Sequence, residues 1–249
     1  MLVTFTDFGC HGPYLGQMQA VLRRQAPGIE VIDLINNAPA TDPGRSAYLL
    51  AALAHWWPQD TVFLCVVDPG VGSERLPVAL KADGKWFVGP DNGLFNVTAL
   101  KASSPVSWYQ IIWRPGNLSA SFHGRDLFAP VAARIARGEE HDWLQSWAGP
   151  DLSGWPDDLA EVIYIDHYGN AMTGIAYRDE MAGQGLEVNN QKIGFSTTFS
   201  GVPKGSPLWY QNSIGLVEIA VNQGRADDVL RLKIGSRVKM SNYSQPTTS

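Results

Sequence analysis

Short apolar runs alternate with stretches of helical periodicity along the first half of the chain. Leu2–Thr6 is a β-type run that ends in Asp7-Phe8-Gly9. Tyr14, Leu15, Met18, Val21 and Leu22 then recur at helical spacing until Ala26-Pro27-Gly28 stops the pattern. Glu30–Ile35 reads as a second strand and Ser46–Trp57 as an apolar helix closed by Pro58. Thr61–Val67 is nearly all apolar, as expected of a parallel strand buried on both faces. Val78–Lys81 and Trp86–Val88 form a hairpin through Asp83-Gly84, and a helix is expected from about Asp126 to Arg137. This rhythm predicts an α/β domain with a mainly parallel sheet.

The texture changes near residue 149, where Gly149-Pro150-Asp151 and Gly154-Trp155-Pro156 read as a linker. Short strands follow at Glu161–Ile165, Leu186–Val188, Lys192–Phe195, Leu208–Gln211 and Leu216–Val221, separated by Asn, Gly and Ser turns. That spacing predicts a smaller all-β domain, sandwich or barrel. The expected organisation is an α/β domain over 1–150, a linker over 151–160, a barrel-like β domain over 161–240 and a polar, disordered tail over 241–249.

The 249 residues carry 19 basic against 24 acidic groups, a net charge of −5, which argues against a nucleic-acid partner. Only Cys10 and Cys65 occur, so no disulfide framework or paired-cysteine metal pattern is present. The histidines at 11, 55, 123, 141 and 167 show no metal-binding spacing. Neither a signal-peptide pattern nor an apolar run of membrane-spanning length is visible. A reduced, cytoplasmic protein needing no metal or cofactor is the expectation.

Three segments could carry chemistry. Asp7 ends the first strand, where ligands of open α/β sheets bind, and its two oxygens match a vicinal diol. Capping of the following helix is the commoner use of such an Asp. Thr6-Asp7-Phe8-Gly9 matches a kinase motif, but the other kinase signatures are absent. The run Val66–Arg75 (VVDPGVGSER) puts Asp68 at the end of the third strand, although Asp before Pro-Gly also starts turns and Arg75 could be a surface cation. Phe122-His123-Gly124-Arg125-Asp126 precedes a helix, where His123 is structural or catalytic.

TDFG at 6–9, VVDPGVGSER at 66–75, GPDNG at 89–93, FHGRD at 122–126, IDHYGN at 165–170 and NSIGLVEIAVNQG at 212–224 occur in this order. Together they resemble the S-adenosyl-L-methionine (SAM) hydroxide adenosyltransferases, relatives of the SAM-dependent fluorinase and chlorinase. The resemblance implies hydrolysis of SAM to adenosine and L-methionine, with an Asp–Arg–His set that falls on Asp68, Arg75 and His123. It implies that Asp7 holds the ribose diol and that Asp166 and Ser213 hold the methionine part. Asn170, Glu218 and the backbone near Ala220 would face the adenine, with Tyr168 and Phe199 stacking on it. A homotrimer with sites at subunit interfaces is implied as well. Gly12 and Ile214 depart from the family pattern, which has an acidic and often a polar residue there. A halogenase and a non-catalytic SAM or adenosine sensor are the alternatives. The polar Asp68–Arg75–His123 set favours hydroxide over halide, and a sensor could have lost it.

Overall fold

The computed structural model describes residues 1–139 and 141–241, so the tail expected at 241–249 lies, beyond Ser241, outside the described residues. The chain divides into two units, Met1–Trp155 and Pro156–Ser249.

The first unit is built on a seven-stranded sheet of order β2-β1-β3-β5-β4-β6-β7. Its centre is parallel: β1 (Leu2–Thr6) lies between β2 (Val31–Ile35) and β3 (Val62–Val66), and β3 pairs with β5 (Lys85–Pro90). All residues of β1 and β3 are buried, which explains why these two runs carry no charged residue. The expected hairpin forms β4 (Pro77–Ala82) and β5; Asp83 (φ 46°) and Gly84 (φ 73°) supply the two left-handed residues of a tight turn.

The sheet is mixed, with its parallel centre flanked on one side by antiparallel strands. β4 runs against β5, β6 (Ser107–Ile111) against β4, and β7 (Leu144–Trp147) against β6. The last two strands lack a readable pattern because little of them is buried: β7, at the edge, has no buried residue and β6, next to it, only two.

The helices α1 (Tyr14–Gln25), α2 (Pro43–Ala54), α3 (Asn96–Leu100) and α4 (Ala129–Ala136) complete the unit. α2 starts three residues before the expected Ser46, because Asp42 caps it by accepting from Arg45 N at 3.0 Å and Pro43 suits the first turn. It ends at Ala54, short of Trp57. Where a plain helix was expected from Asp126, a π-helical turn at Gly124–Phe128 runs straight into α4.

The second unit holds two antiparallel sheets. One has the order β12-β13-β9-β8, with β8 (Leu159–Ile165), β9 (Ala171–Ala176), β12 (Pro207–Gln211) and β13 (Leu216–Val221). The other is β11-β10-β14, with β10 (Gly185–Val188), β11 (Gln191–Ile193) and β14 (Val238–Ser241). A short helix, α5 (Ala226–Val229), follows β13. The expected turn falls at Asn189 and Asn190, whose φ angles are 49° and 63°. The core forms around Trp209, fully buried with its indole N–H donating to Gln184 O at 3.1 Å. Among the described residues no helix is long and apolar enough to cross a membrane.

Gly89 marks how tightly β5 passes β3. A Cβ built there would collide with the Cys65 carbonyl oxygen and lie 3.0 Å from the Phe95 ring. Gly89→Ala should therefore cost about 1–3 kcal/mol, the usual penalty for overpacking. Gly16→Ala, on the open face of α1 with nothing within 4 Å, should gain about 0.5–1 kcal/mol. Urea unfolding of both variants checks this; equal midpoints would refute the close approach.

Candidate active site

The carboxyl ends of β1 and β3 carry Asp7 and Asp68, one residue and two residues beyond the strands. With Phe8, Val66, Val71, Ser121, Phe122, His123 and Gly124 they line a small cleft of about 70 Å³. Arg75 reaches back from the glycine-rich turn to grip Asp68: its Nε donates to Oδ1 at 2.8 Å and Oδ2 at 3.0 Å, and its Nη2 donates to Oδ2. The pair is almost dry, with side chains 8% and 4% exposed. The Arg75 guanidinium also rests over the Phe128 ring, 5.2 Å from its centroid.

Nη2 of Arg75 lies 3.1 Å from His123 Nδ1. Guanidinium nitrogens only donate, so Nδ1 must accept, the ring is neutral and its proton resides on Nε2. Electrostatics agree. Burial, followed by the charge of Arg75, holds the His123 pKa below its ordinary value, and Arg114 pushes the same way. The π-helical turn begins at the next residue; such turns concentrate at functional positions because they re-aim side chains. Asp126 fixes its start by accepting from Ser119 N at 3.0 Å and from Arg125 Nε at 2.6 Å.

Asp7 is oriented differently. Its Oδ2 accepts from Thr41 N at 2.9 Å, and burial raises its pKa. Thr41 has φ 56°, a costly conformation for a β-branched residue, so the loop is strained where it supplies this donor. Asn92 of the Gly89–Gly93 turn donates to Val67 O at 2.9 Å and so anchors the residue before Asp68.

A second, larger cavity of about 640 Å³ opens in the C-terminal unit. Asp166, Tyr168, Asn170, Phe199, Ser213 and Glu218 all line it. Ala220 does not; it is fully buried on β13, paired with Leu208. Asp166 organises the turn after β8, accepting from Asn170 N at 2.8 Å and from Asn170 Nδ2 at 3.1 Å. Glu218 is 2% exposed. Its Oε1 accepts from Tyr210 OH, and its Oε2 accepts from Asn212 Nδ2 at 2.7 Å. Burial raises the Glu218 pKa against the lowering effect of these two donors, and burial and Glu218 together raise that of Tyr210. Tyr168 is 72% exposed, and Phe199 meets the Tyr210 ring edge-on at 5.3 Å.

Residues 2–145 match the SAM hydroxide adenosyltransferase N-terminal domain, and residues 160–239 match its C-terminal domain. The chain belongs to this family. Among SAM hydroxide adenosyltransferase relatives, it is 38% identical to the (R)-S-adenosyl-L-methionine hydrolase of Thermus thermophilus, over 94% of this chain and 97% of the relative. The protein of the same name from Salinispora arenicola is 37% identical, over 95% of each. A fluorinase from Actinopolyspora mzabensis is more distant at 23% identity, over 97% of each. The crystal structure of an uncharacterized conserved protein from Thermotoga maritima superposes with a TM-score of 0.86 at 30% identity, covering 97% of this chain and 100% of that one.

Tyr210, Asn212 as a ligand of Glu218, Asn92 and Thr41 were not singled out for these contacts from sequence. Tyr210 was open to discovery, since it stands directly across from Glu218 in the β12–β13 register. The Thr41 contact spans 34 positions and leaves no local signal.

The His123 arrangement predicts an NMR titration. The ring should titrate below about 6.5, the ordinary histidine value. Because the unfolded ring protonates at that value and the folded ring only lower, acidification through this window should favour unfolding. In Arg75→Gln the ring should titrate higher, since the guanidinium charge is lost while the opposing charge of Asp68 remains. An unchanged His123 titration in that variant would disprove the contact.

Proposed function

We propose that this chain hydrolyses SAM to adenosine and L-methionine, by attack of water or hydroxide on C5′. Its family membership and its 38% identity to a protein named (R)-S-adenosyl-L-methionine hydrolase support the reaction. The observation that carries the mechanism is the Asp68–Arg75–His123 chain of hydrogen bonds.

In SAM the leaving group is a cationic sulfonium, so C5′–S cleavage returns an electron pair to sulfur and produces a neutral thioether. No developing anion on the leaving group needs an electrophile, and no cofactor is required by this chemistry. The protein must instead hold a nucleophilic oxygen in line with the C5′–S bond and favour its anionic character. Arg75 supplies the positive charge. Asp68 holds Arg75 in one orientation by occupying its Nε and Nη2 donors. With Nδ1 engaged by Arg75, His123 offers Nε2–H, a donor that positions the nucleophile rather than a free base. Asp7 receives the ribose diol on its oxygens, steadied by Thr41 N–H.

In the C-terminal cavity, Tyr168 and Phe199 flank the purine, Asn170 and Glu218 meet its polar edge, and Asp166 and Ser213 take the amino-acid part. Ala220 contributes backbone only. We read the two C-terminal sheets as a barrel-like module, supported by the bridges Phe195–Trp209 and Glu161–Arg237 that tie strands of one sheet to the other. The two sets of residues belong to different units. This fits a homotrimer in which one subunit's N-terminal unit meets a neighbour's C-terminal unit.

Incubation of the pure protein with SAM should yield adenosine and L-methionine in equal amounts, with turnover unaffected by EDTA. A dominant 5′-halo product in chloride buffer, or loss of activity in EDTA, would overturn the assignment.

Point variants separate binding from catalysis. Asp7→Ala should weaken adenosine binding by about 1–3 kcal/mol, the cost of leaving a polar partner unsatisfied. His123→Ala should leave that affinity nearly intact while kcat falls by about 10²–10⁴. His123→Gln, which retains an N–H donor, should recover part of the loss. Wild-type kcat in His123→Ala would make the histidine purely structural.

A further inference from the structure

Charge in the C-terminal cavity is one-sided. Among the described residues that line it, Asp166 and Glu218 are acidic and no lysine, arginine or histidine is present. The rest of the lining is neutral: besides aromatic faces and the Ser213 hydroxyl it has the amides of Gln223, Asn170 and Asn212, the last two already donating Nδ2–H to Asp166 and Glu218. Arg225 follows the lining residue Gly224 in the chain, but its guanidinium is committed elsewhere. Its Nη2 pairs with Asp227 at 2.7 Å, its Nε with Asp228 at 3.4 Å, and its Nη1 donates to His167 O at 2.8 Å.

Such a wall of carboxylates and aromatic rings welcomes cations and is poor for anions. A carboxylate brought beside two others without a cationic partner is repelled, whereas an ammonium or sulfonium gains from both carboxylates and from the ring faces. SAM carries a sulfonium, an ammonium and one α-carboxylate, and only the last opposes the field of the cavity.

From this, and resting on the hydrolase reading above, we infer that the site recognises the cationic groups of its substrate and not the α-carboxylate, so that the decarboxylated counterpart of SAM, a dicationic sulfonium amine, is also a substrate. The reaction balances as it does for SAM. A water oxygen forms the bond to C5′, the C5′–S pair goes to sulfur, and water gives up one proton. The products are adenosine and 3-(methylthio)propylamine. Selection on this site therefore acts on the ammonium and sulfonium, and the substrate class is adenosyl sulfonium amines.

The test compares kcat/KM for three sulfonium compounds, measured as adenosine released: SAM, its decarboxylated analogue and its deaminated analogue that retains the carboxylate. The decarboxylated compound should equal or exceed SAM, and the deaminated one should fall at least tenfold. A decarboxylated analogue more than tenfold worse than SAM, with the deaminated analogue unimpaired, would overturn the inference. Asp166→Asn should reduce the ratio of decarboxylated analogue to SAM at least threefold; an unchanged ratio would equally overturn it. Failure of SAM itself to react would count against the hydrolase reading alone. In that event calorimetry with L-methionine and 3-(methylthio)propylamine still decides: tighter binding of the amine supports the inference, and tighter binding of methionine refutes it.

Discussion

The buried ion pair between Asp68 and Arg75 is the constraint on which the N-terminal site depends. An arginine this dry would be costly unpaired, and a lone buried aspartate would be no better. Together they form a two-pronged contact that fixes the guanidinium plane over Phe128 and leaves Nη2 directed at His123 as well. From that one orientation follow the neutral state of His123, its tautomer and the exposure of Nε2–H. The glycine-rich turn between residues 68 and 75 lets the chain double back far enough for Arg75 to reach Asp68. The π-helical turn brings His123 and Phe128 to the same pair from the other side.

The two cavities have complementary electrostatic character. In the N-terminal unit a buried guanidinium and an imidazole N–H favour negative charge on a bound oxygen. In the C-terminal unit two carboxylates and several aromatic rings favour positive charge. In the proposed displacement the electron-rich oxygen would meet the first kind of environment and the sulfonium the second. Charge on the nucleophile and on the leaving group cancels as the reaction proceeds, so each environment has most to stabilise in the separated reactants. Geometry and desolvation must then supply much of the rate.

Periodicity made β1, β3, β13 and α1 readable, because burial on both faces or along one face imposes a strong pattern on composition. It could not expose β6 and β7, the outermost strands on one side of the sheet, whose residues alternate weakly, nor the π-helical turn, whose residues would also suit an ordinary helix. The motifs named candidate residues, and cavity linings in the two units gather all of those named except Arg75 and Ala220. Arg75 acts from behind Asp68. What sequence did not disclose were the supports: Thr41 for Asp7, Asn92 for the carbonyl before Asp68, and Tyr210 for Glu218. The Thr41 and Asn92 contacts join positions distant in sequence and leave no local signal; only Tyr210, across the β12–β13 pairing from Glu218, was open to reading.

The same geometry bears on the choice between water and halide. A bound halide wants donors and apolar walls, and it is repelled by any carboxylate within reach. Water wants donors and acceptors together. The N-terminal cleft has both kinds of group: Asp7 and Asp68 line it beside His123. Burial raises the Asp7 pKa, as expected of a carboxylate short of water and already close to another negative charge. A chloride entering this cleft would have no hydrogen to offer the two carboxylates, one of which is already paired with a guanidinium. A neutral water would donate its hydrogens to carboxylate oxygen and accept from His123 Nε2–H, satisfying each group it meets. Water or hydroxide is therefore favoured over halide because it keeps an O–H to donate to the carboxylates beside it, as well as lone pairs for His123.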